Sequence, residues 1–337
     1  MSKESLLLPI FVILTVWSPL SLSEEYSESM KTCLLKIIQS SPPKTTIDQL
    51  ISTCKNNALI VQKAKPVLSH VDGRIAREMS TENNPSVITP HNRSYLIPFS
   101  YSKNPDDVRN QQSQNLAPLD NLETKFQISL KAPLFTKIFS SQDSLHVGFT
   151  IKSYWQMYNS KYSSPFRETN YQPELFYSIK NNWKIGSWTN NIVSLGLVHE
   201  SNGRSQLFSR SWNRIYAKFI FEKDNWIVSF KPWYRIPEQN KEFPGDPEGD
   251  DNPDILKFMG NFELRTIYHW NEQNFSVMLR NNLRSNNKGA IQLDYSFPLD
   301  KRFKGYIQYF NGYGESLIDY NHSDQRLGIG ILLTDFF

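Results

Sequence analysis

The fold of this chain is decided by two segments, Val193-Ser-Leu-Gly-Leu-Val-His-Glu-Ser201 and Asn213-Arg-Ile-Tyr-Ala-Lys-Phe-Ile-Phe221. The odd positions of both segments are mostly apolar, and successive side chains of a β-strand point to opposite faces. We therefore predict two neighbouring strands, each with one apolar face. His199, Ser201 and Asn213 share the parity of the apolar residues, and three polar side chains on such faces indicate a functional site.

The same alternation extends over the rest of the chain from about residue 94. Segments of roughly ten residues alternate apolar and polar side chains, which is the pattern of a transmembrane β-barrel. We identify twelve such segments, at residues 94–103, 124–136, 143–157, 171–181, 184–201, 211–223, 225–236, 254–270, 273–283, 288–299, 301–313 and 325–337. They predict an all-β fold, a twelve-stranded antiparallel transmembrane β-barrel with a small N-terminal helical segment. A soluble β-sandwich is the alternative, but Tyr and Trp near the strand ends favour a membrane.

Composition narrows the classes of function. The chain has 337 residues, 13% of them aromatic, and a formal net charge of +4. No tract of the sequence is strongly basic, so we do not expect nucleic acid as a partner.

The first 23 residues have the pattern of a secretory signal peptide. Lys3 precedes an apolar run from Leu6 to Val16, and Ser21-Leu-Ser23 resembles a small-residue cleavage site. An uncleaved membrane anchor is the alternative. No later stretch reaches the roughly 18 uninterrupted apolar residues of a spanning helix. The mature chain is therefore either soluble or crosses a membrane with strands.

The region after the signal segment predicts helices. Residues 24–62 contain two stretches of helical periodicity, and Cys33 and Cys54 fall on their matching faces. In an exported chain this placement predicts a helical hairpin with a Cys33–Cys54 disulfide, and two buried free thiols are the alternative. Residues 63–92 are polar and rich in proline, which predicts a linker to a barrel domain over residues 93–337.

The polar residues of the two opening segments suit nucleophilic catalysis. His199 and Ser201 are two residues apart on one face, roughly 7 Å along the backbone, so the imidazole can take the serine proton. Asn213 can accept the other imidazole N–H without the desolvation cost of a carboxylate that faces lipid. Gly203 offers an accessible backbone N–H to an oxyanion. The alternative is a group of polar residues at a strand rim, close to lipid headgroups.

Two further groups of residues offer oxygen ligands for a metal. The loop from Gly203 to Arg210 supplies carbonyl oxygens and the hydroxyls of Ser205 and Ser209, which favour Ca²⁺ over zinc. Five acidic residues lie between residues 246 and 254, and a solvated acidic loop is the simpler interpretation of that cluster.

Longer motifs around these residues resemble those of the bacterial outer membrane phospholipase A family. Five motifs occur in the family order: Ser163–Tyr171, His199–Ser205 with Ser209–Tyr216, Lys231–Tyr234, Asp250–Ile255 and Tyr313–Asn321. The resemblance covers about Ser94 to Phe337 and leaves the helical hairpin outside. The terminal Phe337 also resembles the assembly signal of bacterial outer-membrane barrels.

The resemblance implies an enzyme whose site faces lipid on the outer wall of a barrel. It implies hydrolysis of sn-1 and sn-2 acyl esters of phospholipids and lysophospholipids in the bacterial outer membrane. We expect the N-terminal segment, which lies outside the resemblance, to be periplasmic. By motif position, Ser201 is the nucleophile, His199 the base and Asn213 the residue that orients the base. Gly203 is the oxyanion donor.

The resemblance also implies Ca²⁺ as cofactor and a homodimer as the active form. The matching calcium ligands are the Arg204 carbonyl, the Ser209 hydroxyl and the carbonyl of Ser163 of the partner subunit. Many members have an acidic residue in place of Gln206, which forms a second calcium site with the residue that matches Asp251. This chain departs from the family there, and its loop at residues 237–249 is long.

Two other functions remain open at this point. One is a passive outer-membrane barrel, a porin or scaffold, whose polar rim residues are incidental. The other is a catalytically inactive member of the family. A passive barrel needs no polar cluster on its lipid face, and serine, histidine and asparagine are all present at the family spacing, so the sequence favours the calcium-dependent hydrolase.

Overall fold

The computed structural model of this chain describes residues 28–40, 42, 45–64, 68–81, 84, 87–106, 118–300 and 302–336. The predicted signal peptide at residues 1–23 lies outside them. The chain divides into two compact units, Met1–Val67 and Leu68–Phe337. Within the described residues, no helix has both the length and the apolar character needed to cross a membrane.

The first unit contains two helices, α1 (Glu28–Ser40) and α2 (Ile47–Ala64), in the region where we predict a hairpin. The backbone N–H of Thr46 donates to the side-chain oxygen of Gln49 at 3.1 Å, a contact that satisfies one of the free amides at the start of α2. A disulfide joins Cys33 to Cys54, so the alternative of two free thiols does not hold.

A third helix, α3 (His70–Thr81), begins the second unit and lies inside the predicted linker at residues 63–92. The Glu222 carboxylate accepts the backbone N–H groups of His70 at 2.7 Å and Val71 at 3.3 Å, which satisfies free donors of the first helical turn. Val71 is fully buried in an apolar cluster with Ile220, Ile227 and Ile267. The linker prediction is wrong for this segment because its stabilising contacts come from distant strands and leave little periodicity in the local sequence.

Twelve antiparallel strands form the barrel, and a two-residue strand, β1 (Thr89–Pro90), precedes them and pairs with the second barrel strand. The barrel strands are β2 (Ser94–Ser102), β3 (Leu122–Thr136), β4 (Asp143–Trp155), β5 (Phe166–Ile185), β6 (Trp188–Ser201), β7 (Ser211–Lys223), β8 (Trp226–Ile236), β9 (Phe262–Trp270), β10 (Gln273–Asn281), β11 (Gly289–Pro298), β12 (Lys304–Tyr313) and β13 (Ser323–Thr334). Each strand pairs with the next along the chain, and β13 pairs with β2 to close the ring. The predicted twelve-stranded antiparallel barrel is confirmed.

Side-chain exposure alternates along the strands in the sense that a lipid-facing wall requires. In β6, Leu195 and Leu197 are 59% and 50% exposed, whereas Val198 of the opposite parity is 4% exposed. Charged residues such as Glu174, Arg214 and Glu222 are buried inside the ring. Apolar side chains outside and polar side chains within are typical of a transmembrane barrel.

One predicted strand, at residues 254–270, begins later than expected. Its first residues form a short helix, α4 (Leu256–Met259), and β9 starts only at Phe262. Ile255, which precedes this helical turn, and Met259, its last residue, are buried in a cluster with the indole rings of Trp212 and Trp233. Packing against these two rings replaces strand pairing here, and alternation alone does not reveal it.

The buried charges of the lumen are paired with one another. Arg326 contacts Glu123 at 2.6 Å and Glu315 at 2.5 Å, and both carboxylates have a second basic partner. Arg167 lies 3.0 Å from Glu123, and Lys125 lies 2.9 Å from Glu315. Because a buried charge is costly without a partner, this network constrains the strands that supply it.

We predict that Arg326→Ala destabilises the barrel by about 3 kcal/mol, because it removes the shared partner of two buried carboxylates. The free energy of unfolding is measured by urea denaturation of the refolded protein in detergent micelles. Arg284→Ala is the matched control, since Arg284 is exposed. Equal unfolding midpoints for the two variants would contradict the prediction.

The helix α3 has its own ion pairs near its C-terminal end. Glu78 lies 2.7 Å from Lys131 of β3 and 2.7 Å from Arg74 of the preceding turn. Burial alone would raise the pKa of the Glu78 carboxyl, but the two cations outweigh burial and lower its pKa from 4.5 to about 2. A carboxyl with a lowered pKa in the folded state stabilises that state when it is ionised.

We therefore expect the docking of α3 to weaken as the pH falls from 4.5 to about 2, the interval over which Glu78 becomes protonated. The contribution is fully present above this interval. Hydrogen-exchange protection factors of residues 71–81, measured across this range, test the expectation. The Glu78→Gln variant should show weak protection at every pH. The expectation would be contradicted if wild-type protection were as independent of pH as that of the variant.

Candidate active site

The candidate site lies at one end of the hairpin formed by β6 and β7. His199 is directly opposite Asn213, and Ser201 is opposite Ser211. Residues directly opposite each other in an antiparallel pair share a face of the sheet. Leu197 and Ile215, the next pair on that face, are both exposed on the outside of the ring. The predicted residues His199, Ser201 and Asn213 therefore lie on the outer wall of the barrel.

The opposite face of the hairpin fixes this orientation from within the lumen. Trp212 is fully buried, and its indole N–H donates to the Glu200 carboxylate at 3.0 Å. Arg214 donates to the same carboxylate oxygen at 2.7 Å. Since Glu200 and Trp212 form the cross-strand pair next to His199 and Asn213, turning His199 and Asn213 inward would break these buried contacts.

The structure brings His199 and Asn213 into a hydrogen bond. The imidazole Nδ1 and the amide Oδ1 are 2.8 Å apart. The amide Nδ2 of Asn213 donates in turn to the Glu238 carboxylate at 3.1 Å. An amide oxygen only accepts, so in the neutral imidazole this contact places the proton on Nδ1 of His199 and leaves the lone pair on Nε2.

Ser201 ends β6 two residues beyond His199, on the same face and half-buried. No hydrogen bond joins its hydroxyl to His199 in the described part of the chain. The serine hydroxyl rotates freely about its Cβ bond, and nucleophile–base contacts are commonly loose before substrate binds. The arrangement therefore supplies an oriented imidazole and a neighbouring hydroxyl on one face.

Gly203 is the second residue of the loop between β6 and β7 and has a left-handed conformation, with φ of +63°. It is exposed, and a Cβ at this position would lie 3.3 Å from the ring of Tyr171. The loop is held by the buried side chain of Asn202, whose Oδ1 accepts the backbone N–H groups of Arg204 at 3.3 Å and Arg210 at 3.0 Å. Glycine thus leaves the backbone amide accessible at a position where a side chain is strained.

The residues predicted to bind calcium lie in three loops, and Asp251 belongs to the one between β8 and β9. Ser209 is in the β6–β7 loop, and its hydroxyl donates to Oδ2 of Asp251 at 2.7 Å. Arg204 is in the same loop, and its guanidinium is directed toward Glu168. Ser163 is exposed in the β4–β5 loop in a left-handed conformation, with φ of 62°. Of the four predicted ligands, Ser209 and Asp251 are in direct contact with each other.

Asp251 is already occupied by residues of its own chain. Ser211 donates to Oδ2 of Asp251 at 3.2 Å, and the ammonium of Lys241 lies 2.7 Å from Oδ1. A metal ion bound by Asp251 would therefore compete with this ammonium and with the two serine hydroxyls. The side chain of Gln206, at the other position of the second calcium site, lies outside the described residues.

Sequence reasoning does not identify Glu238, Lys241 or Asn202 as residues of the site. Glu238 has a weak signal, because it lies two residues beyond Ile236, the cross-strand partner of Asn213. The contacts of Lys241 depend on how the 237–249 loop folds back, which no local pattern shows. The signal for Asn202 is its position: it is an asparagine at the start of a loop, where its side chain can satisfy backbone amides.

Comparisons with known proteins match this architecture over most of its length. The chain matches the phospholipase A1 family over residues 71–333. It is 40% identical to a phospholipase A1 of Salmonella typhimurium over 264 residues, which cover 78% of this chain and 87% of that protein. A phospholipase A1 of Escherichia coli K12 is 39% identical over 264 residues, with the same shares of the two chains.

Two solved structures are similar to the barrel. Outer membrane phospholipase A from Escherichia coli superposes with a TM-score of 0.72 at 38% identity and covers 78% of this chain and 98% of its own. The Salmonella typhi outer membrane phospholipase, solved as a dimer with bound calcium, has a TM-score of 0.70 at 39% identity and the same coverage.

Proposed function

The chain belongs to the phospholipase A1 family, whose members hydrolyse phospholipid esters, and from this premise we propose that a Ser201-His199-Asn213 triad performs the reaction. We propose further that it cleaves sn-1 and sn-2 acyl esters of phospholipids and lysophospholipids in the outer membrane. The observation that supports the triad best is the 2.8 Å contact between His199 and Asn213 on the lipid-facing wall. It leaves Nε2 of the imidazole as an acceptor on the face that Ser201 shares.

The proposed chemistry follows from these groups. As the Ser201 hydroxyl oxygen bonds to the ester carbonyl carbon, Nε2 of His199 takes its proton. The carbonyl oxygen becomes an oxyanion that the backbone N–H of Gly203 stabilises. The C–O bond to the glycerol oxygen then breaks, and the imidazolium returns the proton to that oxygen. Water repeats the sequence on the acyl-serine, releases the fatty acid and restores Ser201.

An asparagine suits this position better than an aspartate would. The imidazolium that forms during the reaction needs an acceptor at Nδ1, and the Asn213 amide oxygen supplies one. An unpaired carboxylate on the lipid-facing wall would add a large desolvation cost, which the neutral amide avoids. The hydrophobic surround thus favours the Ser-His-Asn form of the triad.

We also propose that Ca²⁺ binds at a homodimer interface, as the Salmonella typhi relative is a dimer with bound calcium. The ligands in this chain would be the Arg204 carbonyl and the Ser209 hydroxyl, together with Ser163 of the partner subunit. These oxygen donors fit a hard cation, and the Asp251 carboxylate 2.7 Å from the Ser209 hydroxyl adds negative charge. When bound, the ion supplies stabilisation of developing negative charge. Asp251 is the weaker candidate for direct ligation, because Lys241 holds it.

We predict that Ser201→Ala and His199→Ala each lower fatty-acid release by roughly 10⁴-fold or more, since each removes an indispensable member of the triad. Asn213→Ala should cause a smaller loss, because the orienting residue costs less than nucleophile or base. Release is measured from phospholipid–detergent micelles with the refolded protein.

Ser187→Ala is the control, since Ser187 is exposed in a hairpin turn, and it should keep wild-type activity. Equal release by wild type and Ser201→Ala would remove the triad proposal. No release by any folded form would favour a passive or inactive barrel.

We expect calcium to raise activity and chemical crosslinking to a dimer over the same concentration range, and EDTA to abolish both. The Ser209→Ala variant should need more calcium for both effects, because it removes one of the two ligands that each chain would supply from its β6–β7 loop. Full activity of a protein that crosslinks only as a monomer would refute the dimer, and activity unchanged by EDTA would refute the metal.

A further inference from the structure

The 237–249 loop places a carboxylate against the outer side of the proposed triad. Asn213 Nδ2 donates to Glu238 Oε1 at 3.1 Å, while Asn213 Oδ1 faces His199 Nδ1 at 2.8 Å. Carboxylate, amide and imidazole thus form one hydrogen-bonded chain. Glu238 lies outside the β8 strand, two residues past its last residue, Ile236.

The hydrogen-bonded chain from Glu238 to His199 fixes which end of the Asn213 amide faces the imidazole. An amide can turn by 180° about its terminal bond, which exchanges a donor for an acceptor at nearly the same position. If the NH₂ group faced His199, it would donate to Nδ1, and Nε2 would then carry the imidazole proton. In that tautomer Nε2 cannot take a proton from Ser201, and the base is lost.

An ionised carboxylate excludes the unproductive orientation, because it has acceptors and no donor. Facing Glu238, the Asn213 NH₂ group keeps its hydrogen bond, whereas the flipped amide would set an oxygen against a carboxylate oxygen. We propose that Glu238 is a positioning residue: it fixes the amide of Asn213 and, through it, the His199 tautomer with a free Nε2. The inference rests on the proposed triad.

The loop is built so that Glu238 is held in place. On one side of it, Arg235 pairs with Asp250 at 2.5 Å. On the other side, the backbone N–H of Asp250 donates to the carbonyl of Gln239 at 2.7 Å. Lys241 is fastened to Asp251 at 2.7 Å. Contacts on both flanks therefore limit where the Glu238 side chain can reach.

A backbone approach near Gly249 tightens the same loop. Gly249 has a φ of +86°, and a Cβ there would lie 2.9 Å from the carbonyl oxygen of Gln239 and 2.9 Å from the amide nitrogen of Lys241. Only glycine allows the two halves of the loop to pass this closely. The residue next to Glu238 is thus packed against the far end of the loop.

The experiment compares Glu238→Ala and Glu238→Gln with wild type in steady-state kinetics. Glu238→Ala should lower kcat by roughly tenfold, the lower end of what hydrogen-bond partners of metal-bound histidines contribute, with KM unchanged. Glu238→Gln should recover only part of kcat, because its amide keeps an acceptor oxygen for Asn213 but its NH₂ group can also donate to the flipped Asn213 amide. Glu242→Ala removes an exposed carboxylate of the same loop and should behave as wild type.

A double-variant cycle separates positioning from loop stability. In an Asn213→Ala background, Glu238→Ala should cause no further loss, since the residue acts only through the amide. A full additional loss in that background would show a separate role and overturn the proposal. The proposal would also be overturned if the single variant Glu238→Ala had wild-type kcat while the single variant Asn213→Ala was impaired.

A spectroscopic readout tests the inference without any turnover. In ¹⁵N-histidine-labelled protein, the His199 ring, assigned by comparison with His199→Gln, should be protonated at Nδ1 in wild type. Glu238→Ala should add signal from the Nε2-protonated form. An unchanged Nδ1-protonated ring in Glu238→Ala refutes Glu238 as the positioning residue, whereas wild-type activity in Ser201→Ala refutes the triad itself.

Discussion

Closure of backbone hydrogen bonding around the ring is the constraint on which the rest of the structure depends. In a lipid environment an unpaired strand edge is prohibitively costly, so β13 must pair with β2. A closed ring fixes the register of each strand, and register fixes which side chains point to lipid, because a slip of one residue inverts the faces. The outward position of His199, Ser201 and Asn213 is therefore a consequence of pairing throughout the ring rather than of the hairpin alone.

The ring also explains why the lumen holds so many charges. The outer face of each strand is apolar, so the inner face must be polar if the two faces are to differ. Charged side chains on the inner face then need partners across the lumen. Arg326 joins Glu123 of β3 to Glu315 of the β12–β13 loop, so strands remote in sequence share one network. Glu222 of β7 similarly binds the first turn of α3. Pairing inside and alternation outside thus support the same geometry.

Features that depend on local sequence patterns could be predicted from the sequence, whereas features that depend on long-range contacts could not. Strand number and the face of His199 follow from alternation, which is local and repeated, and Leu195 and Leu197 show it directly. The helix α3 could not be found this way, since the carboxylate that caps it lies 152 residues from His70. Glu238 was missed for the same reason: its position depends on contacts such as Arg235–Asp250 that only the folded loop creates. Local pattern predicts faces, whereas long-range side-chain partners must be observed.

The long loop resolves a conflict between chemistry and environment at this wall. An imidazolium intermediate is stabilised by nearby negative charge, yet a charge on the lipid-facing surface of a strand is costly. Asn213 remains neutral on the wall, and its amide connects His199 to a carboxylate located beyond the strand end. The same loop brings Lys241 to Asp251, so its one cation pairs with a different carboxylate and leaves Glu238 as the anion next to Asn213. Asn213 on the wall and Glu238 beyond the strand end therefore satisfy both requirements: the imidazolium has negative charge nearby, and the lipid-facing wall carries no carboxylate. Neither residue would satisfy both alone on the wall.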